Sequence, residues 1–328
     1  MKSATAEVRA AHGAALILWG GDSVEIFYQG YDITEWARVT KCVSRDTAGN
    51  RCDSLDIEFE NAAGWYNLEP KEDDQIIVSH NGYDTGIMYV NTILPENGRF
   101  RIFATSLPCA ARAKGYQSFT GKTIEEIMRA CAMSSGMNFQ IFGIDRNTVI
   151  PYIQRDNEGC ASFLYRLLTM EGAALKCVNG MYTAIGITYA QGRDPHQTME
   201  ITADQAGMEY KRSGQTYRLL TVETPYAKAT AEDVNVPSSH GGITRNDVPA
   251  RNDVVAGRWA RGLLLDLNRQ SETVIMPSTF NVGYTAMTRI DIEGSSDAVG
   301  QWLIQEAQHD FVELKSTATM HRCVTSIQ

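Results

Sequence analysis

The motif that most invites a chemical reading in these 328 residues is Gly121-Lys122-Thr123, set just ahead of a helical pattern. A phosphate-cradling loop needs four residues between its two glycines, so that successive amides wrap the phosphate oxygens. Gly115 precedes Gly121 with five between them, and no apolar strand leads in. The stretch Thr123-Ile124-Glu125-Glu126 reads instead as a capping box, with Thr hydroxyl and Glu carboxylate each taking an amide that the helix leaves free. Six histidines (His12, His80, His196, His240, His309, His321) include no pair four apart and none at finger spacing from a cysteine. His309 and His321 could meet only across the hairpin that closes the chain. There is no Gly-x-Ser-x-Gly elbow, and Asp73-Asp74 and Glu125-Glu126 are neighbours on a surface, not the spaced carboxylates of a glycosidase. The reading is therefore not an enzyme, with no cofactor and no metal.

Thirty Lys and Arg against 39 Asp and Glu leave a net charge of −9. Gripping nucleic acid takes the opposite balance, because cations that neutralise phosphates supply most of the affinity. No run of five like charges exists, and the first apolar stretch, Ala14 to Trp19, is far short of a membrane span. No signal-like core opens the chain, so cytoplasmic synthesis and no membrane anchor are expected. Seven cysteines, an odd number at irregular spacing, read as free thiols; only Cys42 and Cys52, flanking the expected turn Asp46–Asn50, form a pair worth testing.

The elements that would have to position any site are mostly strands. Residues 1–30 read as an opening β segment with turns at Gly20-Gly21 and Gly30. In Ser54–Glu60 the apolar residues Leu55, Ile57 and Phe59 alternate with charges, which puts them on one face of a strand with one wet side. Strands follow over 75–80, 86–94 and 99–105, the last two joined by a turn ending in Asn97-Gly98. Two amphipathic helices then stand out, the first carrying Ile124, Ile127, Met128 and Cys131. The second carries Cys160, Phe163, Leu164 and Leu167, with Asp156 or Asn157 as its cap and Gly172 as its stop. Short strands joined by Asn179-Gly180 complete an α+β insert. The expected division is 1–106 as a first β-barrel, 107–190 as the insert and 191–328 as a second β-barrel. The last segment includes a polar loop (230–252) and a helix (253–267). An architectural echo links the ends of the chain. Gly82–Gly86 leads into an aromatic-bearing strand, a turn and a closing strand, and Gly294–Gly300 does the same with Trp302. The echo is expected to mark a duplication.

Three segments resemble the late control gene D family of phage tail proteins, in its short, prophage-type baseplate-hub form. They are residues 33–61, the segment Ile150–Asn157 with the helix that follows, and the closing strands with Trp302 and Ser316–Cys323. In the helix, Asn157, Phe163, Leu164, Arg166, Leu167 and Gly172 match the family's pattern. The resemblance implies a mainly β fold with an α+β insert, in which two tube-like antiparallel β-barrels flank a small α/β domain. It also implies a homotrimer whose six barrels match a hexameric tail tube above and carry a spike protein below. Other baseplate or tape-measure proteins are further partners, and DNA would pass without specific binding. The chain stops after the second expected barrel, so puncturing would fall to another chain. The expected place is the virion tail of a contractile phage or headless tailocin. The alternatives are a tail-tip cell-wall hydrolase, which needs a cleft with two poised carboxylates, and a host-surface binding module, which needs exposed aromatics on loops.

Overall fold

The computed structural model describes residues 24–60, 62–96, 98–201 and 207–328. The expected turn at Gly20-Gly21 and Asn97 of the Asn-Gly turn lie outside the described residues. The first segment builds β1 (Glu25–Tyr28), β2 (Tyr31–Asp32), β3 (Val39–Thr47), β4 (Ser54–Phe59), helix α1 (Ala62–Leu68), β5 (Gln75–His80), β6 (Tyr83–Asp84), β7 (Met88–Glu96) and β8 (Arg99–Thr105). The insert follows with α2 (Cys109–Arg112), β9 (Gly115–Thr123), α3 (Ile124–Ser135), β10 (Asn138–Phe142), β11 (Val149–Glu158), α4 (Cys160–Met170), β12 (Ala173–Val178), β13 (Met181–Gly186) and α5 (Ile187–Gln191). The chain continues through β14 (Gln197–Ile201), β15 (Glu209–Arg212), β16 (Leu219–Thr224), β17 (Ala227–Glu232), β18 (Gly242–Arg245) and α6 (Asp253–Arg269). It closes with β19 (Glu272–Thr279), β20 (Arg289–Gly294), β21 (Gly300–Asp310) and β22 (Lys315–Arg322).

The mainly β expectation holds, and the local signals act as physics requires. Leu55, Ile57 and Phe59 of β4 are buried. On the opposite face Asp56 accepts from Lys41 at 2.6 Å and from Arg101 at 2.7 and 2.6 Å. Thr123 and Glu126 form the capping box of α3, which stops at Gly136 in the left-handed region (φ 66°). Asn179 and Gly180, both at positive φ, turn β12 into β13.

One 14-stranded sheet contains both halves, in the order β15-β19-β22-β21-β3-β4-β8-β7-β5-β1-β2. The two halves are thus continuous with each other. The cause is the length of β21: its first residues pair with β20, and Glu306–Asp310 run on to pair with β3. Each half keeps its own core, one around Trp65, Phe59 and Ile57, the other around Trp302, Ile290 and Met276.

The helix expected over 253–267 is α6, capped by Asn252 through Val255 N at 2.9 Å. It reaches the second half at its C-terminal end, where Leu265 meets Ala286, Met287 and Leu303, but most of its buried face turns elsewhere. With β16, β17 and β18 it shares a single core with the insert, where Trp259 and Leu264 meet the cluster containing Phe163 and Leu167. The stretch expected as a polar loop contains strand β18, held parallel to β16. With four residues, Ile243 its one apolar side chain and its partner distant in sequence, β18 carries no local pattern to mark it as a strand.

Candidate functional site

The duplication inferred from the glycine echo is carried into the hydrogen-bond register. Gln75 pairs with Tyr89 and Ile76 with Met88; Arg289 pairs with Leu303 and Ile290 with Trp302. Each residue of the second set is 214 later than its counterpart (75 to 289, 89 to 303). The hairpins β7–β8 and β21–β22 agree too: Tyr89–Thr105, Val90–Ala104 and Thr92–Phe103 correspond to Leu303–His321, Ile304–Met320 and Glu306–Thr319. Both hairpins bulge at the same point, at Asn91 and at Gln305. Gly86 and Gly300 occupy equivalent positions, both at positive φ. Aligned by the bulge, Trp302 corresponds to Met88 and not to Tyr89, which accounts for the one-residue slip in the aromatics. The outer strands extend the match, since Arg45–Ser54 of β3–β4 corresponds to Lys211–Thr273 of β15–β19.

Both bulges tie a helix to the sheet. The Asn91 side chain accepts from Arg112 of α2, and that of Gln305 from Arg269 of α6 at 2.7 Å. A bulge breaks the alternation of side chains along its strand, which re-aims the extra residue's amide for this use.

Between the halves and β12 of the insert lies a cleft of about 390 Å³, lined by Arg45, Asp46, Asp53, Tyr83, Lys176 and Thr285 among others. Lys176 pairs with Asp46, and Asp53 accepts from Thr47 N at 2.8 Å. Burial pushes the Asp53 carboxyl up to about 7, against the pull of Lys176 and with the repulsion of Asp46. Burial works against the Lys176 ammonium, but Asp46 and Asp53 outweigh it and hold the group above its ordinary range. A lysine held charged is no nucleophile. The cluster acts as a rivet, since removing one partner would leave a buried charge unmatched at a cost of about 3–5 kcal/mol. The sequence signal was available in β12: Ala-Ala-Leu-Lys-Cys-Val puts one lysine in an apolar strand, where it must find carboxylates.

His309 and His321 do not meet. The β21–β22 register sets His309 opposite Ser316 and His321 opposite Leu303. His309 is bonded to Ser316 Oγ and Tyr284 O, both at 2.9 Å, and burial lowers its pKa. Cys42 pairs across β3–β4 with Ile57 and not with Cys52, and all seven cysteines are free thiols. Among the described residues no group of three or more His, Cys, Asp and Glu is arranged to hold a metal, and no helix is long and apolar enough to cross a membrane.

The residues of the helical pattern converge on the insert core. Phe163 stacks on Phe119 at 5.5 Å, and Leu164 and Leu167 are fully buried. Arg166 donates to Gln154 O at 2.8 Å and to Glu158 at 2.5 Å, clamping β11 to α4. Neither Asp156 nor Asn157 caps α4, whose N-cap is Gly159. Asn157 instead takes the left-handed conformation (φ 52°) at the bulge between Asp156 and Glu158, a role that asparagine fills better than most residues. Gly172 (φ 69°) ends the turn after α4 and lets Gly262 of α6 approach its backbone. Trp302, away from this group, is buried in the second half, with Nε1 donating to Ala298 O at 2.7 Å and Arg322 over its ring at 4.2 Å.

No protein-family model matches the chain, and no curated protein is similar to it in sequence. Solved structures are similar over nearly its whole length. The 43 kDa tail protein of prophage MuSo2 from Shewanella oneidensis is 14% identical with a TM-score of 0.69, covering 92% of this chain and 98% of that one. The tail protein from Neisseria meningitidis MC58 is 10% identical with a TM-score of 0.72, covering 92% and 97%. The E. coli c3393 protein, a component of the type VI secretion system with structural similarity to T4 tail proteins gp27 and gp5, is 11% identical with a TM-score of 0.56, covering 92% and 77%. The chain has the fold of phage tail proteins.

Proposed function

We propose that the chain is a structural hub subunit of a contractile phage-type tail baseplate. Three copies close a ring that meets the hexameric tail tube above and the spike below. The role is mechanical and not catalytic, in a virion component made in the bacterial cytoplasm. One observation carries the reading. Within the chain, β3 adds to the edge of β21. The duplicate of β21 is β7, whose Thr92–Glu96 edge away from β8 is unpaired among the described residues, and the duplicate of β3 is β15, unpaired on its side away from β19. These edges relate to each other as the two joined edges do, but the chain cannot join its own. Adding β15 of one copy to β7 of the next repeats the internal contact between copies, and such a head-to-tail contact closes into a ring when the rotation from copy to copy is a third of a turn. Three chains then present six similar units, in keeping with a sixfold tube.

Native mass measurement tests the reading, with an expected mass three times the chain's 36.3 kDa. Bonds from Ala48 N to Gln305 O and from Phe311 N to Cys42 O show that the odd-numbered residues of β21 face β3, so Ile93 of β7 faces the free edge. Ile93→Pro should therefore give a folded monomer. A wild-type chain that stays monomeric at high concentration, alone and with tube and spike partners, would overturn the proposal.

A further inference from the structure

The duplication also carries a register from one copy to the next. Within the chain, Glu306 lies opposite Thr47, Ala307 opposite Asp46 and His309 opposite Ser44. On β7 the duplicates of Glu306, Ala307 and His309 are Thr92, Ile93 and Pro95, each 214 earlier (306 to 92). On the other edge, Arg45 of the Arg45–Ser54 pair corresponds to Lys211 of the Lys211–Thr273 pair, an offset of 166 (45 to 211). The duplicates of Thr47, Asp46 and Ser44 are therefore Ser213, Arg212 and Tyr210.

The backbone of each edge agrees with this transfer. Ser213, just past β15, donates its amide to Ser271 O at 2.6 Å. Amides alternate along a strand, so Lys211 and Ser213 turn theirs to β19 while Tyr210 and Arg212 turn theirs to the open edge. On β7, Pro95 shares the open side with Ile93. A proline has no amide to give and fits a strand only where that side lacks a neighbour. The side chains agree as well. Ile93 packs against the core around Trp65, and Tyr210 against the core around Trp302. Residues opposite each other share a face, so this register sets Ile93 and Tyr210 on one face of the joined strands. A slip of one residue would put them on opposite faces.

On the basis of the hub reading, we infer that copies join in this one register, β7 of one accepting β15 of the next. Ile93 and Arg212 exchange amide–carbonyl bonds. Tyr210 N donates to Pro95 O, and the Tyr210 ring lies against Pro95. Thr92 faces Ser213 across the seam. Pro95 returns no bond to Tyr210 O, so the ladder between copies has one bond fewer than its counterpart within the chain.

Thr92→Cys combined with Ser213→Cys tests the register. The two positions lie between the bonded pairs, where opposing Cα atoms are about 4.5 Å apart and a disulfide fits. Mild oxidation should give covalently linked copies on a non-reducing gel, reversed by dithiothreitol, with the two introduced thiols joined in the peptide map. Thr92→Cys with Glu209→Cys, four residues out of register on the same face, should not link. Native mass on the same samples separates the outcomes. A trimer that links through the shifted pair, or through neither, overturns the register and leaves the hub reading standing. A monomer overturns both. If the double variants fail to fold, amide exchange decides. Tyr210 and Arg212 amides should exchange about tenfold or more slower in the wild-type trimer than in Ile93→Pro, and equal rates overturn the register.

Discussion

Two Gly→Ala changes five residues apart on α6 should shift stability in opposite directions. In a helix interior, alanine is favoured over glycine by about 1 kcal/mol, so both start with that gain. At Gly257 a β-carbon would sit 3.6 Å from Ala229 Cβ, an ordinary contact, and the gain survives. At Gly262 a β-carbon would come within 2.5 Å of Gly172 N and 2.7 Å of the Met170 carbonyl carbon, and closer still to its oxygen. These are backbone atoms and cannot swing aside as a side chain would. Normal contact distance requires α6 and the end of α4 to part by about 1 Å. That loosens the buried surface around Trp259, Leu263 and Leu264. Overpacking of this kind costs about 1–3 kcal/mol, and more where neither wall relaxes. With both walls backbone, the cost sits at the upper end, so Gly262→Ala is expected to destabilise by about 1–2 kcal/mol net, and Gly257→Ala to stabilise by about 0.5–1 kcal/mol. Urea titrations with an unchanged m-value should read both as midpoint shifts. A Gly262→Ala chain at least as stable as wild type would refute the close approach of the two backbones, and with it the packing of α6 on the insert.

Phe163→Ala removes the ring stacked on Phe119 and should cost about 3–5 kcal/mol, read as a lowered melting temperature; a wild-type melt would refute its place in the core. Asp53, pushed up to about 7, holds a proton in the folded chain that the unfolded chain has lost above pH 4. Its contribution to stability is therefore full below the unfolded value and falls as pH rises toward 7. Asp53→Asn, which keeps the acceptor for Thr47 N, should flatten that fall, and parallel stability–pH curves for the two proteins would count against it. The proposed hub, at −9 per chain, should leave duplex DNA unretarded at low salt, and salt-sensitive binding would refute a channel that lets DNA slide.

What the sequence determined by itself was whatever rests on near neighbours. Alternation in β4, the capping box at Thr123 and Glu126, the Asn179-Gly180 turn and the buried face of Phe163, Leu164 and Leu167 each depend on residues within a few positions. The duplication was visible through Gly86 and Gly300 because a positive φ narrows the choice of residue wherever the strand pattern repeats. Tertiary structure decided which edges meet. Nothing local tells β21 to outrun β20 and take up β3, or α6 to turn most of its buried face to the insert. Asp46 and Lys176 acquire their chemistry only when the fold brings them together and excludes water. A charge is ordinary on an exposed strand or helix. It becomes a rivet through the desolvation and partners that only the packed chain provides.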